Sequence, residues 1–168
     1  MMKPFWLDAN VLIEAQNRWY PFELVPKFWG LLSEEIESGS ICCPKAVFDE
    51  IVPRKDQLDN RVKDQLSVWV KTRKDDGLCV PPTDAIQAQF KLIADHVVAN
   101  FSRHHYEEFL TVADPWLIAT AKVIGGTVVT GESESRKKKI RIPSICRAFA
   151  IPCIDLPTMV RHFNRVLS

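Results

Sequence analysis

The stretch VADPWLIATAKVIGGTVVTGE, residues 112–132, predicts one complete helix followed by one strand. Asp114 and Pro115 are typical of a helix start, because Asp is a good capping residue and Pro is favoured in the first turn. The paired Gly125 and Gly126 predict the end of that helix. The run TVVT that follows is β-branched throughout, and it predicts a short strand.

The same alternation of apolar strands and helices continues along the rest of the chain. Strands are predicted at residues 4–7, 40–44, 78–80, 127–130 and 151–155, and helices at residues 11–17, 26–38, 45–52, 60–74, 83–100, 114–124, 144–150 and 157–167. Thr83 is expected to cap the helix at 83–100. The alternation favours an α/β fold in which helices cover both faces of a parallel sheet. Because we find no internal repeat, low-complexity segment or linker, we expect a single domain over residues 1–168.

The composition is that of an ordinary globular protein. Of the 168 residues, 46% are hydrophobic and 26% are charged, and the net charge is +1. This charge does not imply wholesale electrostatic binding of nucleic acid, so any such binding needs a local basic patch. No uncharged stretch approaches about 18 residues, and the first residues lack the features of a signal peptide. We therefore expect a cytoplasmic protein without a membrane span, with its five cysteines as reduced thiols.

Acidic residues recur at matching places in this pattern. Asp8 ends the first predicted strand, and Glu132 comes just after TVVT. Asp114 begins the helix that leads into that strand, and Glu50 lies on the helix after the second strand. Ligands of open parallel sheets bind outside the carboxyl ends of the strands. We therefore expect the four acids to converge on one edge of the sheet.

A cluster of four carboxylates needs protons or a cation, because like charges repel. Two carboxylates about 4 Å apart repel by roughly 4 kcal/mol at an effective dielectric constant of about 20. Hard oxygen ligands suit Mg²⁺ or Mn²⁺. Such an ion can activate water, polarise a phosphoryl oxygen and stabilise the leaving oxygen. The pattern therefore suggests metal-assisted hydrolysis of a phosphodiester.

Four segments in chain order resemble the successive motifs of the PIN-domain nucleases: FWLDANVLIEA (5–15), AVFDEI (46–51), ADPWLIATAK (113–122) and TVVTGE (127–132). The segments YPFELVPKFW (20–29) and KIRIPSICRAFAIPCID (139–155) resemble a VapC-like bacterial branch known as a PIN-like domain of unknown function. The resemblance implies a three-layer α/β/α PIN-like fold with a central, mainly parallel sheet. It also implies a Mg²⁺- or Mn²⁺-dependent endoribonuclease that is the toxin of a type II toxin–antitoxin pair.

The resemblance assigns catalytic and metal-binding roles to Asp8, Glu50, Asp114 and Glu132. Asp8 and Asp114 are expected to ligate the metal ion directly, and Glu50 and Glu132 directly or through water. Asn10 and Thr130 are expected to orient the acids or a bound water.

Two of the four positions have competitors. Helical periodicity does not choose between Asp49 and Glu50, because each flanks the apolar stripe of that helix by a similar angle, and only the resemblance favours Glu50. For the fourth acid, Glu134 and Asp155 are alternatives to Glu132. Taken alone, Asp8 and Asp114 are also explained as helix caps, and Glu50 as part of a solvated helix face.

Basic residues that bind the substrate are expected just after Glu132. The basic run there consists of Arg136, Lys137, Lys138, Lys139 and Arg141. Such a run predicts contacts with RNA phosphates, although it is also typical of an exposed loop. His104 and His105 have no partners at zinc-ligand spacing and are expected to be surface residues.

The expected partners are an RNA substrate, a cognate antitoxin protein and a second copy of the chain. Five aromatic residues are predicted to be mainly core, with some of them forming a patch for an antitoxin or a homodimer: Trp19, Tyr20, Phe22, Phe28 and Trp29. The competing hypothesis is a catalytically inactive PIN-like scaffold that binds RNA or protein.

Overall fold

Over the described part of the chain, the sheet of the computed structural model has five parallel strands. The structure describes residues 3–52, 64–134 and 139–163. The strands are β1 (Phe5–Leu7), β2 (Ile41–Pro44), β3 (Cys79–Val80), β4 (Thr127–Val129) and β5 (Cys153–Ile154). Their order across the sheet is β3-β2-β1-β4-β5, and every neighbouring pair is parallel. The predicted α/β fold with a central parallel sheet is confirmed.

The helices follow the predicted alternation. They are α1 (Ala9–Glu14), α2 (Pro26–Glu37), α3 (Lys45–Ile51), α4 (Gln65–Arg73), α5 (Asp84–Asn100), α6 (Arg103–Leu110), α7 (Asp114–Ile124), α8 (Ile142–Ala148) and α9 (Leu156–His162). A π-helical turn, Ala15–Trp19, extends α1. The predicted parts of helices at residues 60–63 and 164–167 lie outside the described residues. Among the residues that the structure describes, none of the helices is long and apolar enough to cross a membrane.

Thr83 caps α5 as predicted, since its hydroxyl oxygen accepts a hydrogen bond from the backbone N–H of Ile86 at 3.3 Å. By contrast, α6 is a helix that the sequence analysis does not predict. Phe109 is the one residue of α6 that is fully buried. The segment RHHYEEFL is mostly polar or charged, and this composition, which is also typical of a surface loop, explains the omission.

The order of the strands determines which helices cover each face. The chain begins at the centre with β1, moves outward to β2 and β3, and then returns to form β4 and β5 on the other side of β1. Right-handed crossovers therefore place the helices of the two halves on opposite faces. Consistent with this, α2 packs against β2, whereas α7 packs against β1, β2 and β4 and is itself covered by α5. The result is a three-layer α/β/α arrangement whose direction of winding reverses between β1 and β4.

The central strand is fixed from the side by the turn before β4. The side chain of Trp6 is 1% exposed, and its indole N–H donates a hydrogen bond to the carbonyl of Gly125 at 2.8 Å. The next residue, Gly126, has φ +116°, and a Cβ placed there would overlap the carbonyl oxygen of Pro4 and lie 2.8 Å from Trp6 Nε1. Glycine at position 126 therefore allows the backbone to approach β1 closely.

Substitution of Gly126 by Ala should lower the free energy of unfolding by at least about 2 kcal/mol, because it combines a backbone clash with a strained positive φ. Gly30→Ala is the matched control. Gly30 lies in α2 with open space around its Cβ position, so this change should be neutral or stabilising by up to about 1 kcal/mol. Urea unfolding measures both values, and equal stability of the two variants would contradict the proposed constraint.

Candidate active site

The reversal between β1 and β4 brings Asp8 next to the residues that follow β4. Asp8 is 2% exposed, and its backbone N–H donates to the carbonyl of Val129 at 3.0 Å. The hydroxyl of Thr130 donates a hydrogen bond to Asp8 Oδ2 at 3.0 Å. The same hydroxyl oxygen accepts a hydrogen bond from the backbone N–H of Glu132 at 3.1 Å. Thr130 thus links the carboxylate after β1 to the acidic residue after β4.

The cap hypothesis for Asp8 is confirmed for its position, but the main partner of its side chain is Thr130. Asp8 occupies the N-cap position of α1 in extended backbone, and the nearby backbone N–H of Asn10 lowers the pKa of its carboxyl. The hydroxyl of Thr130 lowers this pKa more strongly. The carboxylate is therefore held at the switch point of the sheet, where ligands of such folds bind.

The predicted start of α7 at Asp114, with Pro115 in the first turn, is confirmed. The alternative explanation of Asp114 as the cap residue does not hold, because Ala113 is the N-cap and Asp114 is the first helical residue. The backbone N–H of Ala113 donates to Glu50 Oε1 at 2.8 Å. Glu50, on α3, therefore supplies the acceptor at the start of α7. This contact between distant parts of the chain leaves the Asp114 carboxylate available to the site.

The structure also separates Glu50 from its neighbour Asp49. Asp49 Oδ2 lies 2.5 Å from Nζ of Lys45 on the same helix, and Asp49 lines a different cavity, beside Trp116. Although Glu50 is an exposed residue, its carboxylate contacts α7 and lines the same cleft as Asp114. Of the two candidates, Glu50 is the one that lies with the other acids.

Glu132 lies with Asp8 and Asp114, while its competitors have other contacts. Glu132 Oε2 accepts a hydrogen bond from the backbone N–H of Ile142 at 2.8 Å, and its Oε1 lies 3.5 Å from Arg141 Nη1. Glu134 forms an ion pair with Arg147.

The third candidate, Asp155, is the N-cap of α9. Its Oδ1 accepts a hydrogen bond from the backbone N–H of Thr158 at 2.9 Å. The side-chain hydroxyl of Thr158, together with this backbone N–H, lowers the pKa of the carboxyl. Asp155 is thus engaged at the start of α9. The cleft that contains the other acids is lined by Glu132 and not by Asp155.

These acids meet in a cleft of about 190 Å³. Its lining residues are Asn10, Glu50, His105, Glu108, Phe109, Val112, Asp114, Glu132, Lys139 and Ile140. Asp8 is buried behind the cleft wall, next to Thr130. We call this cavity the acidic cleft. It combines three of the predicted acids with the predicted support residue Asn10 and one predicted RNA-binding residue, Lys139.

The carboxylates of the acidic cleft act on one another electrostatically. Burial raises the pKa of Asp8 to about 6, partly opposed by the hydrogen bond from Thr130 and further supported by the charge of Glu132. Burial likewise raises the pKa of Asp114 to about 7, and the charges of Asp8, Glu132 and Glu50 add to the effect. Each of the four acids thus contributes to a strongly negative site.

The donor chemistry of the site suits a hard divalent cation. All four acids offer carboxylate oxygen, the ligand type preferred by Mg²⁺ and Mn²⁺ rather than by soft thiolate-binding metals. In the parts of the chain that the structure describes, no three Asp, Glu, His or Cys side chains are already arranged as a ligand set.

Helix α6 adds residues that the sequence analysis did not assign to the site. His105 and Glu108 line the cleft, although His105 was expected to be an ordinary surface residue. The ring Nδ1 of His105 lies 2.6 Å from the hydroxyl oxygen of Ser102, which fixes the ring. Spacings of three and four residues place His105, Glu108 and Phe109 on one helix face. A helix prediction for this segment would have revealed that shared face.

The described part of the basic run lies against acids of the site. Lys139 Nζ is 3.2 Å from Glu108, and Arg141 contacts Glu132 as given above. The remaining three predicted RNA-binding residues, Arg136, Lys137 and Lys138, lie outside the described residues.

Comparison with protein-family models gives one match. Residues 5–166 match the family described as Domain of unknown function (DUF4411). The chain belongs to this DUF4411 family. The matched range includes every strand of the sheet and all four acids of the site. A search of the curated proteins found no match.

The raised pKa values predict a fall in stability as pH increases from about 4 to 7. In the folded chain Asp8 and Asp114 keep their protons up to about pH 6 and 7, whereas unfolded Asp loses its proton near pH 3.9. The folded state therefore binds more protons in this window, and the stabilisation present below about pH 4 is lost as pH rises.

We expect the contribution of Asp8 to this loss to be on the order of 2 kcal/mol in the presence of a chelator. Asp8→Asn should remove that contribution, whereas Asp95→Asn, on the exposed surface of α5, should leave the pH dependence unchanged. Urea unfolding at a series of pH values measures it. A contribution from Asp8 that increases stability from pH 4 to 7 would show that its pKa is not raised.

Proposed function

We propose that this protein is a divalent-metal-dependent endoribonuclease that hydrolyses RNA phosphodiester bonds. The observation that carries the proposal is the gathering of four acids at the switch point of the sheet, where burial and mutual repulsion raise the pKa of Asp8 and Asp114. The ionised carboxylates of such a site repel one another, and a bound cation lowers the free energy of that repulsion.

The proposed metal ligands are carboxylates from both halves of the sheet. Asp8 and Asp114 would hold Mg²⁺ or Mn²⁺ directly, and Glu50 and Glu132 directly or through water. A divalent ion bound there supplies an activated water and stabilises the charge that develops on the phosphoryl oxygens.

The chain's own hydrogen bonds orient these ligands. The Thr130 hydroxyl holds one oxygen of Asp8, and the backbone N–H of Ile142 holds one oxygen of Glu132. Partners of this kind fix the direction of a ligand's lone pairs and are important for metal affinity. The contact with Thr130 leaves the second oxygen of Asp8 for another interaction, whereas the second oxygen of Glu132 lies beside Arg141.

Positive residues at the rim of the acidic cleft would compensate for its charge when RNA binds. Lys139 lines the cleft, and Arg141 is 28% exposed beside Glu132. Because the net charge of the whole chain is only +1, such local cations are needed to attract phosphates. The assignment of RNA as the substrate comes from the resemblance to PIN-domain nucleases.

A specific observation also favours the second candidate function, an inactive scaffold that binds RNA or protein. Glu50 and Glu132 are already engaged by backbone N–H groups, and Glu132 also contacts Arg141. These contacts give both acids a structural role that needs no metal ion.

Cleavage of RNA with Mn²⁺ separates the two candidates. We expect endonucleolytic cleavage that is abolished by a chelator and leaves a 5′-phosphate, as the resemblance implies. Asp8→Asn and Asp114→Asn should each reduce the rate by at least about a hundredfold, because each removes a proposed metal ligand. Asp95→Asn is the control and should cleave normally.

Thermal unfolding gives a second readout that does not depend on catalysis. Mn²⁺ should raise the melting temperature of the unchanged chain, and both site variants should lose most of that increase. Cleavage that survives both substitutions would refute the nuclease proposal. RNA binding without cleavage or metal stabilisation would support the scaffold.

We further propose, on the resemblance alone, that the nuclease is the toxin of a type II toxin–antitoxin pair. Expression of the chain in a bacterial host should stop growth, and co-expression of the neighbouring gene should restore it. Asp8→Asn should not stop growth. Growth arrest that persists with Asp8→Asn would show that the toxicity does not come from RNA cleavage.

A further inference from the structure

A second cavity opens directly beside the acidic cleft. Its volume is about 660 Å³, and Asn10 and Glu132 line both cavities. The residues that line this second cavity include Arg18, Trp19, Tyr20, Arg141 and Pro157. We call it the Trp19 groove. Because the two cavities share walls, a chain-like molecule held in one can continue into the other.

Trp19 presents a large aromatic surface to this groove. The residue is 65% exposed, although it is followed by Tyr20, whose ring stacks on buried Phe28 at a centroid distance of 4.0 Å. The backbone at this point is fixed, since the Tyr20 N–H donates to the carbonyl of Ala15 at 2.7 Å. The carbonyl of Tyr20 in turn accepts from the indole N–H of Trp29 at 2.7 Å. An anchored backbone thus carries an indole that is left largely uncovered.

The position of Trp19 at the end of a π-helical turn is a second unusual feature. The turn Ala15–Trp19 extends α1, which begins immediately after Asp8. π-Helical turns are rare and are found frequently at functional sites. The same short segment therefore connects the buried acid of the site to the exposed indole.

Each acid that lines the Trp19 groove has a partner, and both arginines that line it are ion-paired with one of these acids. Glu14 lies 3.3 Å from Arg18 Nε, and Glu132 lies 3.5 Å from Arg141 Nη1. Asp155 is engaged as the cap of α9. The Arg18 side chain is 69% exposed, so its guanidinium is open to a ligand in the groove. The groove therefore combines an aromatic face with an exposed guanidinium group that can bind an anion.

We propose that the Trp19 groove is the binding subsite for an unpaired nucleobase of the substrate, with the base stacked on the indole of Trp19. This inference rests on the proposed nuclease function. A base has the flat apolar face that stacks on an indole, and the phosphate of its nucleotide matches the exposed guanidinium of Arg18. A base in a duplex is stacked on its neighbours, so the subsite selects single-stranded nucleic acid.

Binding of labelled oligonucleotides, with Ca²⁺ in place of Mn²⁺ to prevent cleavage, tests the proposal. The probes are an oligouridine strand of about 12 nucleotides, an abasic strand of the same length and an RNA duplex. Trp19→Ala should weaken binding of oligouridine by about tenfold, whereas Trp19→Phe, which keeps an aromatic face, should weaken it by less than about threefold. The abasic strand and the duplex should bind to all of these proteins with unchanged affinity.

Leu24→Ala is the matched control, because Leu24 is 74% exposed and does not line the groove. It should leave every affinity unchanged. The proposal is overturned if Trp19→Ala leaves oligouridine binding unchanged, if it weakens the abasic strand or the duplex to the same degree, or if the unchanged chain does not bind oligouridine. Unfolding midpoints equal to that of the unchanged chain exclude a folding defect.

The outcome for the subsite is distinct from the outcome for the nuclease. Base-dependent binding through Trp19 without cleavage in Mn²⁺ would leave the subsite valid and refute the nuclease. Cleavage in Mn²⁺ together with wild-type binding by Trp19→Ala would refute the subsite and leave the nuclease valid.

Discussion

The arrangement of the site depends on one buried carboxylate, that of Asp8, at the end of the central strand. Burial without a basic partner makes its ionised form costly, and the hydroxyl of Thr130 offsets only part of that cost. The chain holds Asp8 there because β1 is the strand at which the winding reverses and because the backbone N–H of Asp8 continues the pairing with Val129. The charge is thus placed by the sheet itself, and the other three acids meet it from separate elements.

Much of the fold follows from local patterns in the sequence. The β-branched run before Thr130, the capping Thr83 and the paired glycines after α7 each specify an element by nearby residues alone. The rule that ligands bind beyond the carboxyl ends of parallel strands was enough to bring Asp8 and Glu132 together. The prediction of these elements and the prediction that Asp8 and Glu132 lie close together did not depend on how the helices pack.

The rest of the site depends on contacts between distant residues, which local patterns do not encode. Asp49 and Glu50 have similar positions on the face of α3, and the backbone N–H of Ala113 distinguishes them by binding Glu50 alone. The pattern of Asp114 and Pro115 correctly marked the start of α7, but it could not show that Glu50 from another helix accepts the hydrogen bond of Ala113 there. His105 was missed because the segment of α6 is mostly polar, like a surface loop, so that no helix was predicted there.

The cations around the two cavities bear on how the proposed acidic metal site would bind an anionic substrate. Each arginine that lines the Trp19 groove forms an ion pair with an acid, and so does Lys139 in the acidic cleft. The pairs Arg18–Glu14 and Lys139–Glu108 are exposed, and such pairs contribute about 0–1 kcal/mol each to stability, so a phosphate can compete for these two cations at small cost. The pair Arg141–Glu132 is less exposed, and of the three it alone contains a proposed metal ligand. If Glu132 binds a divalent ion as proposed, Arg141 would lose the attraction of that carboxylate and become available to a phosphate. Metal binding and substrate binding would then be coupled through Arg141, because each removes a charge that opposes the other.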